Sequence, residues 1–359
     1  MAATPTRRGI VRPRPGSPSA ARRSSRPTER EPPRVGRRKK EDLPDDPRGP
    51  ASWPLWFGLR GLSWVFCLLP WPVLRGLTLP LVAVFYAVTL WREERQNRRR
   101  RGVLRNMRIA FGDELDAAGR RRLCWRYCDH GALLICEFLR LPLLDRRRLP
   151  RRIDLSEVQP VLELYRQGGG LICATGHFGN WEMLGYGAGY LLPLLSLARP
   201  FPEPGLQRFF YERRRRSGAR VRSKFGGLWP LRKALKRGEA VGLNMDENLR
   251  RGGLFVPFCG VLASTNPSAA ILQRNTGAPI VVITCPRVGP ERFRLRVWDV
   301  IQAEPERPAA EERERVTARI AAAFERGLRE YPEQWLWALR RWETRPEGER
   351  EGELPERIG

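Results

Sequence analysis

Histidine is nearly absent from this sequence: His130 and His177 are the only two in 359 residues. Two imidazoles leave little material for a metal site. The seven cysteines do not supply the rest, because Cys124 and Cys128 stand one helical turn apart with no second Cys/His pair at zinc spacing. No metal is expected. The odd cysteine count follows no disulfide framework, so the thiols read as reduced core residues in a reducing compartment. Negative charge is also scarce: 39 Asp and Glu face 66 Lys and Arg, a net charge of +27. Partners are therefore expected to be anionic: nucleic acid, an acidic membrane surface or a phosphorylated substrate. Nucleic acid would call for basic residues interleaved with aromatics, or for a helix-turn-helix or sheet platform. Neither pattern is present, and the charge gathers beside an apolar segment.

Residues 1–50 have almost no large apolar side chains and are rich in Pro, Arg and Ser, with Arg37-Arg38-Lys39-Lys40 the densest cluster. Such a segment cannot bury a core and is expected to be a disordered basic extension, either a polybasic arm for anionic lipid or a solvated tail. Residues 51–92 turn strongly apolar, and residues 76–91 carry no charge at all. Together they have the length for one tilted helix or a broken pair, and Pro70, Pro72 and Pro80 argue against one straight helix. Tryptophans at 53, 56, 64, 71 and 91 suit an interfacial belt, so this stretch reads as a membrane anchor, with a buried core helix as the alternative. Arg92, Arg95 and Arg98–Arg101 then mark the cytoplasmic side.

The remainder, residues 93–346, reads as one α/β domain, followed by a disordered tail over 347–359. Helices are expected over 103–145, 155–167, 205–217, 228–236, 268–274 and 309–331. Strands are expected over 171–175, 194–197, 240–244, 280–285 and 293–300. The glycine stop at 168–170 followed by an apolar strand is an α-to-β connection of a layered α/β fold. That strand runs into Gly176-His177-Phe178-Gly179-Asn180-Trp181-Glu182, which places His177 on the turn between a strand's carboxyl end and a helix, where open α/β sheets gather ligands. A carboxylate on one ring nitrogen fixes the tautomer and frees the other nitrogen to take a proton from an alcohol, and Glu182, on the first helical turn, is the expected partner. His130 reads as structural, and Cys173 as inert packing rather than a nucleophile.

His177 and Glu182 form an H-x4-[DE] motif, and the string HFGNWE resembles that of the bacterial lipid A late acyltransferases, within the glycerolipid acyltransferases. Three further stretches are similar to that family: RRGVLRNMRIAF at 100–111, GLFVPFCG at 253–260, and PEQWLW at 332–337 with Arg340-Arg341-Trp342 and Thr344-Arg345-Pro346. The chain departs from the pattern at Leu339, where the family often has histidine, and at Cys259, where it has a second phenylalanine. The resemblance implies an N-terminal membrane-associated helix followed by a glycerolipid-acyltransferase-like α/β domain. It implies transfer of a fatty acyl chain from acyl-carrier protein or acyl-CoA to a hydroxyl of a lipid A precursor or related glycolipid, with no other cofactor. His177 and Glu182 would be catalytic, Asn180, Arg199 and Asp246 substrate-binding or supporting. The enzyme would sit at the inner membrane with its catalytic domain in the cytoplasm, in contact with anionic lipids. Relatives with the same dyad acylate phosphatidylinositol mannosides, and a catalytically inactive membrane scaffold on the same fold is the remaining alternative.

Overall fold

The computed structural model describes residues 50, 53–95 and 102–349. The expected basic extension, the Arg98–Arg101 run and most of the tail lie outside the described residues. The apolar segment is a broken pair: α1 (Trp53–Leu68) and α2 (Trp71–Arg95), parted at Leu69-Pro70. Proline at 70 has no N–H to continue a helix and pushes the residue before it out of the helical region. Two helices follow, α3 (Val103–Phe111) and α4 (Ala117–Arg140), the latter capped by Asp116, which accepts from the Gly119 N–H. A short α5 (Leu149–Arg152) leads to β1 (Ile153–Asp154) and α6 (Gln159–Arg166). The helix stop at 168–170 takes three glycines in succession with φ of 96°, 84° and 80°, backbone that other residues rarely adopt.

From there helix and strand alternate: β2 (Leu171–Thr175), α7 (Trp181–Leu191), β3 (Leu194–Ala198), α8 (Pro204–Arg215), β4 (Arg220–Ser223), α9 (Trp229–Leu235) and β5 (Ala240–Asn244). A hairpin of β6 (Leu254–Phe258) and β7 (Val261–Thr265) precedes α10 (Ser268–Thr276) and β8 (Ile280–Thr284). The chain ends with β9 (Arg287–Gly289), β10 (Arg292–Arg294), β11 (Arg296–Ile301) and α11 (Ala309–Glu330). The central sheet has the order β11-β8-β2-β5-β3-β4, and every pair is parallel except β11 with β8. The expected mixed α/β fold is present. Sequence reading did not find β4 or the β6–β7 hairpin.

β2 and β8 are buried on both sides, as parallel strands covered by helices are. Ile172 and Ala174 of β2 face a core shared with α9, α10 and α11, while Leu171 and Cys173 face the side covered by α6, α7 and α8. β2 lies between β5 and β8, and the chain passes from β2 over β5 to β3 before returning. The crevice where connections diverge therefore opens at the carboxyl ends of β2 and β5.

Candidate active site

β2 and β5 pair in register from Leu171↔Ala240 to Thr175↔Asn244, and the Met245 N–H still donates to the Thr175 carbonyl at 2.7 Å. Two residues past each strand end stand His177 and Asp246, which the register sets side by side. Nδ1 of His177 lies 3.0 Å from Asp246 Oδ1, and the His177 backbone N–H donates to Oδ2 at 2.7 Å. The Trp335 indole N–H is a third donor to the same carboxylate, at 3.1 Å. Glycine at 176 is what lets the strands close this far, because a Cβ there would stand 2.8 Å from Asp246 Cγ. With Nδ1–H directed at a carboxylate, Nε2 carries the lone pair. Nε2 faces the amide of Asn244 at 3.2 Å and Glu247 at 3.9 Å.

Burial alone would lower the His177 pKa. The Asp246 carboxylate, by charge and hydrogen bond, outweighs it with help from Glu247 and Glu182, and holds the pKa above its ordinary 6.5. For Asp246 burial pushes the other way, toward protonation, but the His177 ring, its N–H and the Trp335 indole outweigh it, and the carboxyl stays below its usual value. Asp246 is a fully desolvated anion whose partners are the imidazole and two N–H donors, the arrangement that fixes a tautomer and stabilises imidazolium when it forms.

Glu182 is therefore not the hydrogen-bonded partner that sequence reading expected. It sits on the first turn of α7, buried, and its carboxylate accepts two hydrogen bonds from Arg214 of α8 at 2.9 and 2.5 Å. Its influence on His177 is through space alone. Asn180 also has a different place from the expected substrate contact. It is 0% exposed, caps α7 by accepting from the Met183 N–H, and donates to Glu137 at 2.8 Å. Arg199, one residue past β3, is exposed on the wall of the central cavity, with no hydrogen bond or ion pair among the described residues.

The cavity measures about 980 Å³ and has two chemically distinct parts. Its mouth is polar, with His177, Glu182, Arg199, Lys224, Asn244 and Glu247. Its depth is apolar, with Val158, Leu171, Leu184, Leu194, Val281 and Leu295 between the sheet and helices α6 and α7. Cys173 lies on this wall with its thiol pushed up to about 12 by burial, so it is protonated at neutral pH and no nucleophile.

A layer of buried polar groups holds the His177 turn from behind. His130 of α4 sits 3.2 Å from the Gly179 carbonyl through Nε2 and 2.8 Å from Arg287 through Nδ1. Burial and then the Arg287 charge keep its pKa well below 6.5, so it is neutral, donating from Nε2. Glu137 accepts from both Asn180 and Arg287. Gly179 has φ of 61°, and a Cβ there would collide with the Cys285 carbonyl. The C-terminal segment closes the arrangement: the Leu336 N–H donates to the His177 carbonyl and the Gly179 N–H to that of Gln334, both at 2.9 Å. Asn106 donates to the carbonyls of Trp337 and Leu339, and Trp335 packs on Phe258 of β6. The described residues 102–111 of the first segment that sequence reading singled out, and the segments at 253–260 and 332–346, thus meet around the group that holds Asp246.

Residues 46–344 match the family model described as bacterial lipid A biosynthesis acyltransferase. The chain is 27% identical over 304 residues to the lipid A biosynthesis lauroyltransferase of Escherichia coli, covering 83% of this chain and 94% of that protein. It is 26% identical over 305 residues to the palmitoleoyltransferase of the same organism, covering 84% and 94%. A phosphatidylinositol mannoside acyltransferase of Mycolicibacterium smegmatis is 26% identical over 216 residues, 57% of this chain and 67% of that protein. With its strand-end histidine and its two-part cavity, the chain belongs to the bacterial lipid A biosynthesis acyltransferase family and is an acyltransferase.

Proposed function

We propose that this acyltransferase moves a fatty acyl chain from the thioester of acyl-carrier protein or acyl-CoA to a hydroxyl of a phosphorylated glycolipid of lipid A type. The observation that carries the reading is His177: Nδ1 is committed to Asp246, and Nε2 stands at the junction of a polar mouth and an apolar cavity. Nε2 takes the proton of the acceptor hydroxyl as its oxygen attacks the thioester carbonyl. The tetrahedral adduct then expels the thiolate, which recovers the proton from Nε2–H. Asp246 orients the ring and stabilises its charged form, so no acyl-enzyme is required. Glu182 adds negative potential near the imidazolium and, through Arg214, fixes α7 against α8. Arg199 and Lys224 are the mouth cations available to a phosphate of donor or acceptor. The apolar depth accepts the acyl chain, at about 0.8 kcal/mol per buried methylene.

The substrate class rests on relatives that act on lipid A and on phosphatidylinositol mannosides. The apolar outer faces of α1 and α2 support a place at a membrane, which we take to be the cytoplasmic side of the inner membrane, against anionic lipids. The test incubates the full chain with lauroyl, myristoyl and palmitoyl thioesters of carrier protein and of CoA, each with a lipid A precursor or a phosphatidylinositol mannoside, and reads products by mass spectrometry. One added acyl chain on the lipid A precursor is expected, with a loss of about 100- to 10,000-fold in His177→Ala. Transfer only to the mannoside moves the acceptor. Release of free fatty acid with no acylated lipid, or unchanged turnover in His177→Ala, would sink the mechanism.

A further inference from the structure

By length and composition α2 can cross a membrane: residues 71–93 are apolar enough and, at about 1.5 Å per residue, span a hydrocarbon core of about 30 Å. Its packing argues otherwise. Leu74 and Val82 of α2 are buried, and the helix lies against α4. Arg75 donates to both oxygens of Asp129 at 2.6 and 3.1 Å, and Tyr86 meets Trp125 edge to face at 5.3 Å. At the α1–α2 break Arg140, on the last turn of α4, donates to the carbonyls of Phe66 and Leu69 at 2.8 and 2.7 Å. α4 therefore accompanies the apolar pair from the break toward the far end of α2. It exposes Arg121, Arg122 and Arg126, and its inner face carries His130 and Glu137, which hold the catalytic turn. Standing α2 across a bilayer would take those arginines and the catalytic turn to the depth of the hydrocarbon, where ionised groups are expensive and unpaired backbone is not tolerated.

The outer faces point to a different seat. Phe57, Trp64 and Leu68 of α1 and Leu77, Val84 and Val88 of α2 are between 41% and 66% exposed. Next to the break is a second cavity of about 290 Å³, lined by Arg140, Arg148, Arg151 and Arg152 with Glu137 and Glu291. Its carboxylates are already engaged, Glu137 by Arg287 and Glu291 by Arg140 and Arg152. The Arg151 side chain has no partner among the described residues, and Arg148 donates to the Leu143 carbonyl at 3.2 Å and meets a carboxylate only at Asp145, at 3.9 Å. An apolar face beside a cavity with surplus cationic charge is the complement of a lipid phosphate with its chains.

We propose that α1 and α2 lie in the plane of one leaflet, outer faces toward the acyl chains, with the arginine-lined cavity receiving the phosphate of an anionic phospholipid. The proposal rests on the membrane location given above. Spin labels at Val73→Cys, Leu77→Cys, Val84→Cys and Val88→Cys, with Cys67 and Cys173 replaced by Ser, would be read for depth in vesicles of phosphatidylethanolamine and phosphatidylglycerol. One common shallow depth is expected. A profile that crosses the bilayer centre, with labels at 73 and 88 about 22 Å apart along the helix, would overturn the in-plane seat and keep the membrane location. A wild-type chain that binds no vesicle would remove the membrane location itself. The Arg148→Glu, Arg151→Glu double variant should bind anionic vesicles about 10- to 30-fold less tightly and phosphatidylethanolamine vesicles as before. Equal loss of binding to both, or no loss, would overturn the phosphate seat.

Discussion

At the scale of residues, two of the carboxylates near the imidazole have been given different partners. Asp246 is hydrogen-bonded to the ring, whereas Glu182 is locked to Arg214 and reaches the ring only by its field. This difference is measurable as a pH dependence. The base must be neutral to take a proton, so kcat/KM rises with pH through the His177 pKa, and that limb should lie above 6.5 because the pKa is raised. In Asp246→Asn the charge that offsets burial is gone, so the limb should move down in pH while kcat falls about 100- to 10,000-fold through loss of the tautomer. Glu182→Gln should move the limb less than Asp246→Asn does. A larger shift from Glu182→Gln would return the orienting role to Glu182.

His177 was legible in the sequence because the signals that mark it are local: an apolar strand, a glycine, and a helix opening within a dozen residues. The partner of its Nδ1 was not, since Asp246 lies 69 positions away and meets it only through the register of β2 with β5. Asn180 was misplaced for a related reason: a polar residue inside a motif looks like a ligand contact, and its burial depends on Glu137, 43 positions earlier.

At the scale of elements, the apolar strands β2, β3, β5 and β8 announced themselves by composition. β4 (Arg-Val-Arg-Ser) is an edge strand with one buried residue, and β6 carries Pro257, so neither shows the pattern of a half-buried strand. The broken apolar pair was foreseen as one of two options and decided by Pro70. Asn106 shows how α3 serves a distant site: its amide satisfies two carbonyls in the segment that carries Trp335. Asn106→Ala leaves both without that donor and should cost about 2–3 kcal/mol. A thermal midpoint lower by roughly 4–8 °C would register this, and an unchanged midpoint would mean that water replaces the amide. On α7, a Cβ at Gly185 would meet nothing within 4 Å because that face borders the cavity. Gly185→Phe should therefore shorten the preferred acyl chain and leave the fold intact. Each two carbons of mismatch correspond to about 1.6 kcal/mol, near 15-fold in kcat/KM, which a competition among thioesters of different length would show. An unaltered chain profile would place the acyl chain elsewhere.

At the scale of the whole molecule, the net charge of +27 acts beyond any single contact. The proposed carrier-protein donor is acidic and the proposed membrane surface anionic, so the same surplus attracts both, and each attraction is screened over about 10 Å at 0.1 M salt. Encounter and chemistry then separate experimentally. Proton transfer at His177 takes place in a partly enclosed site against a buried carboxylate, where salt has little reach, whereas encounter depends on the long-range field. Raising salt from about 50 to 300 mM should lower kcat/KM for acyl-carrier protein by roughly tenfold, within the range of electrostatic steering, while kcat changes little. Acyl-CoA, a smaller anion that presents no extended acidic surface, should show a shallower dependence. Equal slopes for the two donors would mean that the surplus charge serves the membrane alone, and a salt-dependent kcat would mean that the field reaches the chemical step.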